Sequence, residues 1–428
     1  MRSRAALLAL AGLSVVACSS RGDGSSMTTS SAKQDHAAPP PDTSTSATAA
    51  NSGARPSSSA AKAERWPASE WRALTPPEAG DTRVVAAGVA GARLFFAGTV
   101  GDEDHLKQWI AFVDRAGSVE AAVLAAGDVE SASPFGSGGV LLAGEAPREP
   151  TRGTVLTAVD KTGKMLWSKI VPSEVGADSI TSTAVRGGQI VAIGVQNPIE
   201  SGVTHGWLLG LDMTGEKKWE RKVGEGSYHY LTSLVPMDDG SYVAFGGKKT
   251  EARYASWIVS FDAKGEGIRE DVEPTERWEG IQRAAAAPGG GAYAIGVSSE
   301  KQGAMRSVGA AFVERFDATG KRIWRRDAGE HIAGIGAPVV TASGASFLAG
   351  TLNDDEPPTG ALMLVSVPAD GGPAKLEKID GLPSMLDFRT VAGALIPGTT
   401  ETPDVLGIQP RKGGGFEWRV VHAGAPPR

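Results

Sequence analysis

From about residue 82 onward, apolar and polar side chains alternate in short runs separated by clusters of Gly, Asp, Ser and Thr. Period-two alternation of this kind reads as a β-strand whose two faces meet different surroundings. In the clearest region four successive strands, A to D, are expected at Ser179 to Val185, Gln189 to Ile193, Trp207 to Asp212 and Lys217 to Val223. The centre of that region is Trp207-Leu-Leu-Gly-Leu-Asp-Met-Thr-Gly-Glu-Lys-Lys-Trp219. Trp207, Leu209 and Leu211 share a face, Asp212 to Gly215 supplies turn chemistry, and Trp219 lies in the returning strand.

Looser copies recur. A turn Asp with Gly three residues later gives the frames Asp114/Gly117, Asp160/Gly163, Asp212/Gly215, Asp262/Gly265 and Asp317/Gly320, and weaker frames follow at Pro368/Gly371 and Pro410/Gly413. Successive starts are separated by 46, 52, 50, 55, 51 and 42 residues. A period near 50 residues with four strand runs per copy predicts propeller blades. The expected fold is all-β, a single β-propeller of seven four-stranded blades, with six or eight also compatible with so degenerate a last frame. Each B strand is expected to end at a Gly: Gly98, Gly144, Gly194, Gly246, Gly296 and Gly350. Trp109, Trp207, Trp257 and Phe312 stand five residues before the turn Asp; Trp167, Trp219 and Trp324 stand seven after it, with Trp418 one place later in its own frame. Aromatics at fixed blade positions are expected to pack between neighbouring sheets as scaffold.

The form W-[IL]-x-x-[FL]-D-x-x-G-x-x-x-W followed by D-G-x-Y-x-x-x-G, best seen in Trp207 to Trp219 and Asp239-Gly-Ser-Tyr-Val-Ala-Phe-Gly246, resembles the propeller repeats of many bacterial secreted and surface proteins. More distantly, Asp160-Lys-Thr-Gly-Lys-Met-Leu-Trp167 is similar to quinoprotein-like repeats. Those usually have one more residue between Asp and Thr, and the related outer-membrane assembly lipoprotein has eight blades. The resemblance implies a fold and leaves the activity open.

The N-terminus changes the picture. Arg2 and Arg4 precede an apolar run, Ala5 to Ala17, that ends in Val15-Val16-Ala17-Cys18. This looks like the lipobox of bacterial lipoproteins, which implies a signal peptide over residues 1–17, cleavage before Cys18, and lipidation of that Cys. Ser19 follows where inner-membrane retention commonly uses Asp, so by the same resemblance the expected location is the outer membrane. Residues 18–62 are mostly Ser, Thr, Ala, Pro and Gly, with too little apolar surface to offset ordering entropy, and are expected as a disordered tether. Residues 63–81 carry Trp66 and Trp71 and are expected to complete an outer strand of the last blade, with the propeller over 82–428.

Charge and composition remove several function classes. Losing residues 1–17 removes two Arg and no acid, so the formal charge moves from −6 to −8, which argues against a nucleic-acid partner. Cys18 is the sole Cys, so neither an intramolecular disulfide nor a Cys nucleophile is available. G-x-S-x-G, H-E-x-x-H and P-loop motifs are absent from the sequence, and no cofactor is expected. Asp238-Asp239-Gly240 reads as a tight A–B turn, since three residues are too few for a calcium loop.

B–C loops and D–A connections share one face, and the B–C loops vary, for example Thr99 to Gln108 and Val297 to Ala310. His105, His205, His229 and His331 map there, with Asp102, Glu103, Asp104, Asp178, Glu225, Glu279 and Glu330. His229, His331 and Glu330 are the candidate ligand or metal set at the channel mouth, weighed against solvated loop residues. The first functional expectation is a lipid-anchored, non-enzymatic scaffold that binds an envelope protein. The alternative is a small-molecule, glycan or metal-dependent site at the channel mouth.

Overall fold

The structure is a computed structural model, and it describes residues 66–422 except 68, 71, 77, 79–80, 103–104, 148–152, 173–177, 197–202, 225–227, 252, 274, 301–308, 353–359, 381, 383–392, 397–402 and 412–414. Cys18, with the expected signal and tether, lies outside the described residues.

Seven antiparallel sheets follow one another along the chain and form a seven-bladed β-propeller. Blade 3 shows the pattern: its strands are Ser179–Arg186, Gln189–Gln196, His205–Asp212 and Lys217–Val223, paired in chain order from the innermost strand outward. Blade 6 departs slightly, because its innermost strand is broken into Ile332–Ile335 and Val339–Thr341, both paired with Gly344–Leu352. No sheet can bury two apolar faces alone, and the ring solves this by giving each pair of neighbours a shared core. Seven apolar clusters result, one at each seam. Trp109, Trp207, Trp257 and Phe312 occupy these seams at 0–1% exposure, so the first aromatic series is scaffold as expected.

The last blade is assembled from both ends of the chain. Its strands are Gly393–Ile396, Asp404–Pro410 and Phe416–His422, and Arg72–Leu74 pairs outside the last of them. Leu74 is buried opposite Phe416, and the Arg72 guanidinium lies 5.7 Å from the Trp418 ring centre. This corrects the seventh frame: the Pro410 turn joins strands B and C, so Trp418 lies in strand C, not strand D. The frame is displaced by one strand because the outermost strand is contributed by residues more than 300 positions earlier.

The B-strand glycines are also corrected. They do not end their strands; Gln189–Gln196, for example, continues past Gly194. The innermost strand bulges opposite this position in blades 1, 3, 4, 5 and 6. A Cβ on Gly194 would lie 1.9 Å from the Ser179 carbonyl oxygen, and one on Gly246 1.9 Å from that of Tyr230. Gly is required there by close backbone approach, not by chain reversal.

Candidate functional site

The C–D turns are rigid scaffold. Asp212 Oδ1 accepts hydrogen bonds from Thr214 N, Thr214 Oγ1 and Glu216 N at 2.9, 2.6 and 3.1 Å, and Asp160 and Asp317 repeat the arrangement. Lys218 and these donors hold the Asp212 carboxyl well below its ordinary range. Each outer-strand Trp closes onto the next blade's turn: Trp167 Nε1 donates to Met213 O at 2.9 Å, and Trp219 Nε1 to Ala263 O at 3.0 Å. Gly215 and Gly265 sit beneath those rings at φ +82° and +70°. Asp239 Oδ1 likewise accepts from Ser241 N and Oγ, which makes Asp238 to Gly240 the expected A–B turn.

Among the described residues the candidate ligand side chains of the loop face do not converge. His229 is fully buried, its ring 5.4 Å from that of Trp257, and its backbone N–H donates to Thr204 Oγ1 at 2.7 Å. Glu330 and His331 are both exposed at the entry to blade 6, with His331 at φ +58°. His105 is exposed and turns back onto Asp102, Nδ1 to Oδ1 at 2.9 Å, while His205 Nδ1 lies 3.2 Å from Gly224 O. Glu103, Asp104 and Glu225 lie outside the described residues. Among the described residues no group of three His, Cys, Asp or Glu could hold a metal.

Glu279 faces inward. It is 3% exposed and takes a bidentate pair from Arg325 at 2.7 and 2.8 Å, linking the innermost and outermost strands of blade 5. The reason lies in a matched exchange. Trp207 and Trp257 donate through Nε1 to Glu220 and Glu270, thirteen residues on. At the same register blade 5 carries Phe312 and Arg325, the guanidinium 4.0 Å from the ring centre. The cation then needs acids, and Glu279 and the fully buried Glu314 supply them.

A second candidate surface lies on the ring's outer rim. Among the described residues seven large apolar side chains are exposed, and three of them, Met165, Leu166 and Ile170, at 45, 52 and 43%, belong to one strand, Met165–Pro172 of blade 2. That strand is the outermost of its sheet, so among the described residues nothing pairs with its outer edge. Leu166, Ser168, Ile170 and Pro172 all face solvent along it. Its cation Lys169 is tied to Glu216 of blade 3. The outer strand of blade 1, Val119–Ala126, has one acid and no cation. By contrast the outer strands of blades 3 and 5, KKWERKV and RIWRRD, are crowded with charge. Charge on an edge strand opposes pairing with another chain, and blade 2 largely lacks that protection. The signal was present in the sequence: Met165, Leu166 and Ile170 occupy the register that Lys217, Lys218 and Lys222 occupy in blade 3.

No protein-family model and no curated protein matches the chain. Solved structures do. An ulvan lyase of polysaccharide lyase family PL25 is similar over 82% of this chain and 96% of its own, with 7% identity and a TM-score of 0.50. The acylaminoacyl peptidase of Pyrococcus horikoshii is similar over 80% of this chain and 51% of its own, with 9% identity and a TM-score of 0.47. The β-propeller domain of the Trilobed protease from Pyrococcus furiosus matches 71% of this chain and 96% of its own, with 11% identity and a TM-score of 0.36. At these identities the likeness concerns the fold alone.

Proposed function

We propose that this chain is a lipid-anchored protein of the bacterial envelope whose propeller docks a protein partner by strand addition along the outer edge of blade 2. The observation that carries the reading is the unpaired, largely uncharged strand Met165–Pro172 with its three exposed apolar side chains. An extended partner segment gains main-chain hydrogen bonds along such an edge, and its alternate side chains cover Leu166 and Ile170. Covering such a side chain contributes up to roughly 1.5–3 kcal/mol if burial is complete. Tethering supports the reading further: acyl chains on Cys18 would hold the edge near membrane-bound partners and raise their effective concentration. No reaction is assigned to the chain.

The test is affinity capture from envelope extracts with the wild-type chain and with Leu166→Lys/Ile170→Lys. A partner retained by the wild type and lost by the variant, with unchanged thermal stability, supports the reading. Identical capture by both proteins removes blade 2 as the docking edge.

A further inference from the structure

The channel-lining strands of blades 3, 4 and 5 are stitched together by side chains at the bulge. Thr181 Oγ1 donates to Leu231 O of the next blade at 2.6 Å, and Thr232 Oγ1 donates to Ile281 O at 2.7 Å. The residue after each bulge adds a second stitch: Leu234 N donates to Ser182 Oγ at 3.2 Å, and Ala284 N to Ser233 Oγ at 2.9 Å. Ser182, Ser233 and Arg283 occupy equivalent places, paired with Ile193, Phe245 and Ile295 of their own second strands. Blade 5 therefore puts a guanidinium where blades 3 and 4 put a hydroxyl. The strand it faces in blade 6 is the broken one, interrupted between Ile335 and Val339.

Arg283 is exposed although it sits mid-way along an innermost strand, so the solvent it meets is that of the channel. Surrounding protein atoms lower its pKa by desolvation alone, with no carboxylate contributing. Among the described residues it forms no ion pair; its one hydrogen bond is Nη1 to Gln282 O at 2.9 Å. A guanidinium carries five N–H donors, and among the described residues one of them is used. Its neighbours on the strand are neutral: Gln282, Ala284 and Ala285. Glu130, just before the innermost strand of blade 2, is held by the Ser179 hydroxyl. A desolvated cation is costly unless paired, and a planar fork is best paired by two coplanar oxygens.

We propose that the central channel binds a small oxyanion, a carboxylate or phosphate group, with Arg283 as its bidentate anchor. Such a site is independent of the docking edge of blade 2, and either can fail without the other.

The experiment is a thermal-shift and calorimetric titration of the full-length chain with inorganic phosphate and, separately, acetate, at constant ionic strength held with chloride. Three proteins are compared: wild type, Arg283→Ser, which restores the residue type of blades 3 and 4, and Arg283→Lys, which keeps the charge without the fork. The wild type is expected to show saturable stabilisation by at least one anion. Arg283→Ser is expected to keep its fold and lose affinity about tenfold or more, with Arg283→Lys between the two. Phosphate and acetate arms that differ identify which oxyanion the channel prefers. A wild type with no saturable response to either anion, or an Arg283→Ser protein that binds as the wild type does, overturns the proposal. The circular-dichroism melt of Arg283→Ser without anion separates lost binding from lost folding.

Discussion

The outer strands of blades 2 and 3 have the same inner half and opposite outer halves. In register they read Met165-Leu-Trp-Ser-Lys-Ile-Val171 and Lys217-Lys-Trp-Glu-Arg-Lys-Val223. The shared residues do the same work in both. Trp167 and Trp219 clasp the next turn, and Val171 and Val223 are buried. The differing residues face solvent, where three Lys of blade 3 become Met, Leu and Ile in blade 2. Packing between blades fixes one face of an outer strand and leaves the other to selection by something outside the fold. Blade 3 spends that freedom on charge, which blocks strand addition; blade 2 leaves it apolar.

The shared half predicts the largest effects. Trp167→Ala and Trp219→Ala each remove a ring packed on a turn together with its indole hydrogen bond, and each is expected to cost roughly 3 kcal/mol in urea unfolding. Unequal losses would break the equivalence of the two clasps.

The blades also differ along their inner strands, where Glu130 stands just before Ser131–Phe135 in blade 2 and Thr181 stands at the bulge of blade 3. Burial, reinforced by Asp128 and Glu145, raises Glu130 to about 7 against the Ser179 hydrogen bond. A raised carboxyl pKa means the folded state holds the proton longer than the unfolded one. Stability from this group is therefore complete below the ordinary Glu range, declines as pH rises from there to about 7, and is flat above. The total is on the order of 3 kcal/mol. Glu130→Gln should flatten that slope in melts between pH 4.5 and 8 and be the more stable protein at the upper end. An unchanged slope would show that another group titrates there.

Smaller effects test the differing half. Leu166→Lys/Ile170→Lys should leave stability within about 0.5 kcal/mol while removing partner binding. The reciprocal change, Lys218→Leu/Lys222→Ile, should likewise leave stability nearly unchanged but make blade 3 self-associate in sedimentation. Lys169→Ala breaks an exposed pair with Glu216 and should cost no more than about 0.5 kcal/mol.

The fold was legible because every blade solves one packing problem, so the Asp-x-x-Gly turn and the seam aromatics recur at nearly fixed spacing. Legibility failed at the seventh blade, where ring closure borrows Arg72–Leu74 and the turn at Pro410 joins strands B and C. It failed differently for His229, His331 and Glu330. Loop assignment places a residue on a face but does not say where its side chain points; His229 turns inward onto Trp257 while the other two stay in solvent. The edge of blade 2 was readable in principle. It lies in what the copies do not share at equal register, whereas the repeat itself is defined by what they do share.

The central claim is that blade 2, and not blade 3, presents a docking edge. Ile170 and Lys222 are matched positions on the two strands, each opposite its own C-strand residue, Val155 and Trp207. A photo-crosslinking amino acid placed at each position in intact cells tests the claim directly. A discrete crosslinked partner from Ile170 and none from Lys222 is the predicted result; equal products from both, or a partner from Lys222 alone, would contradict it.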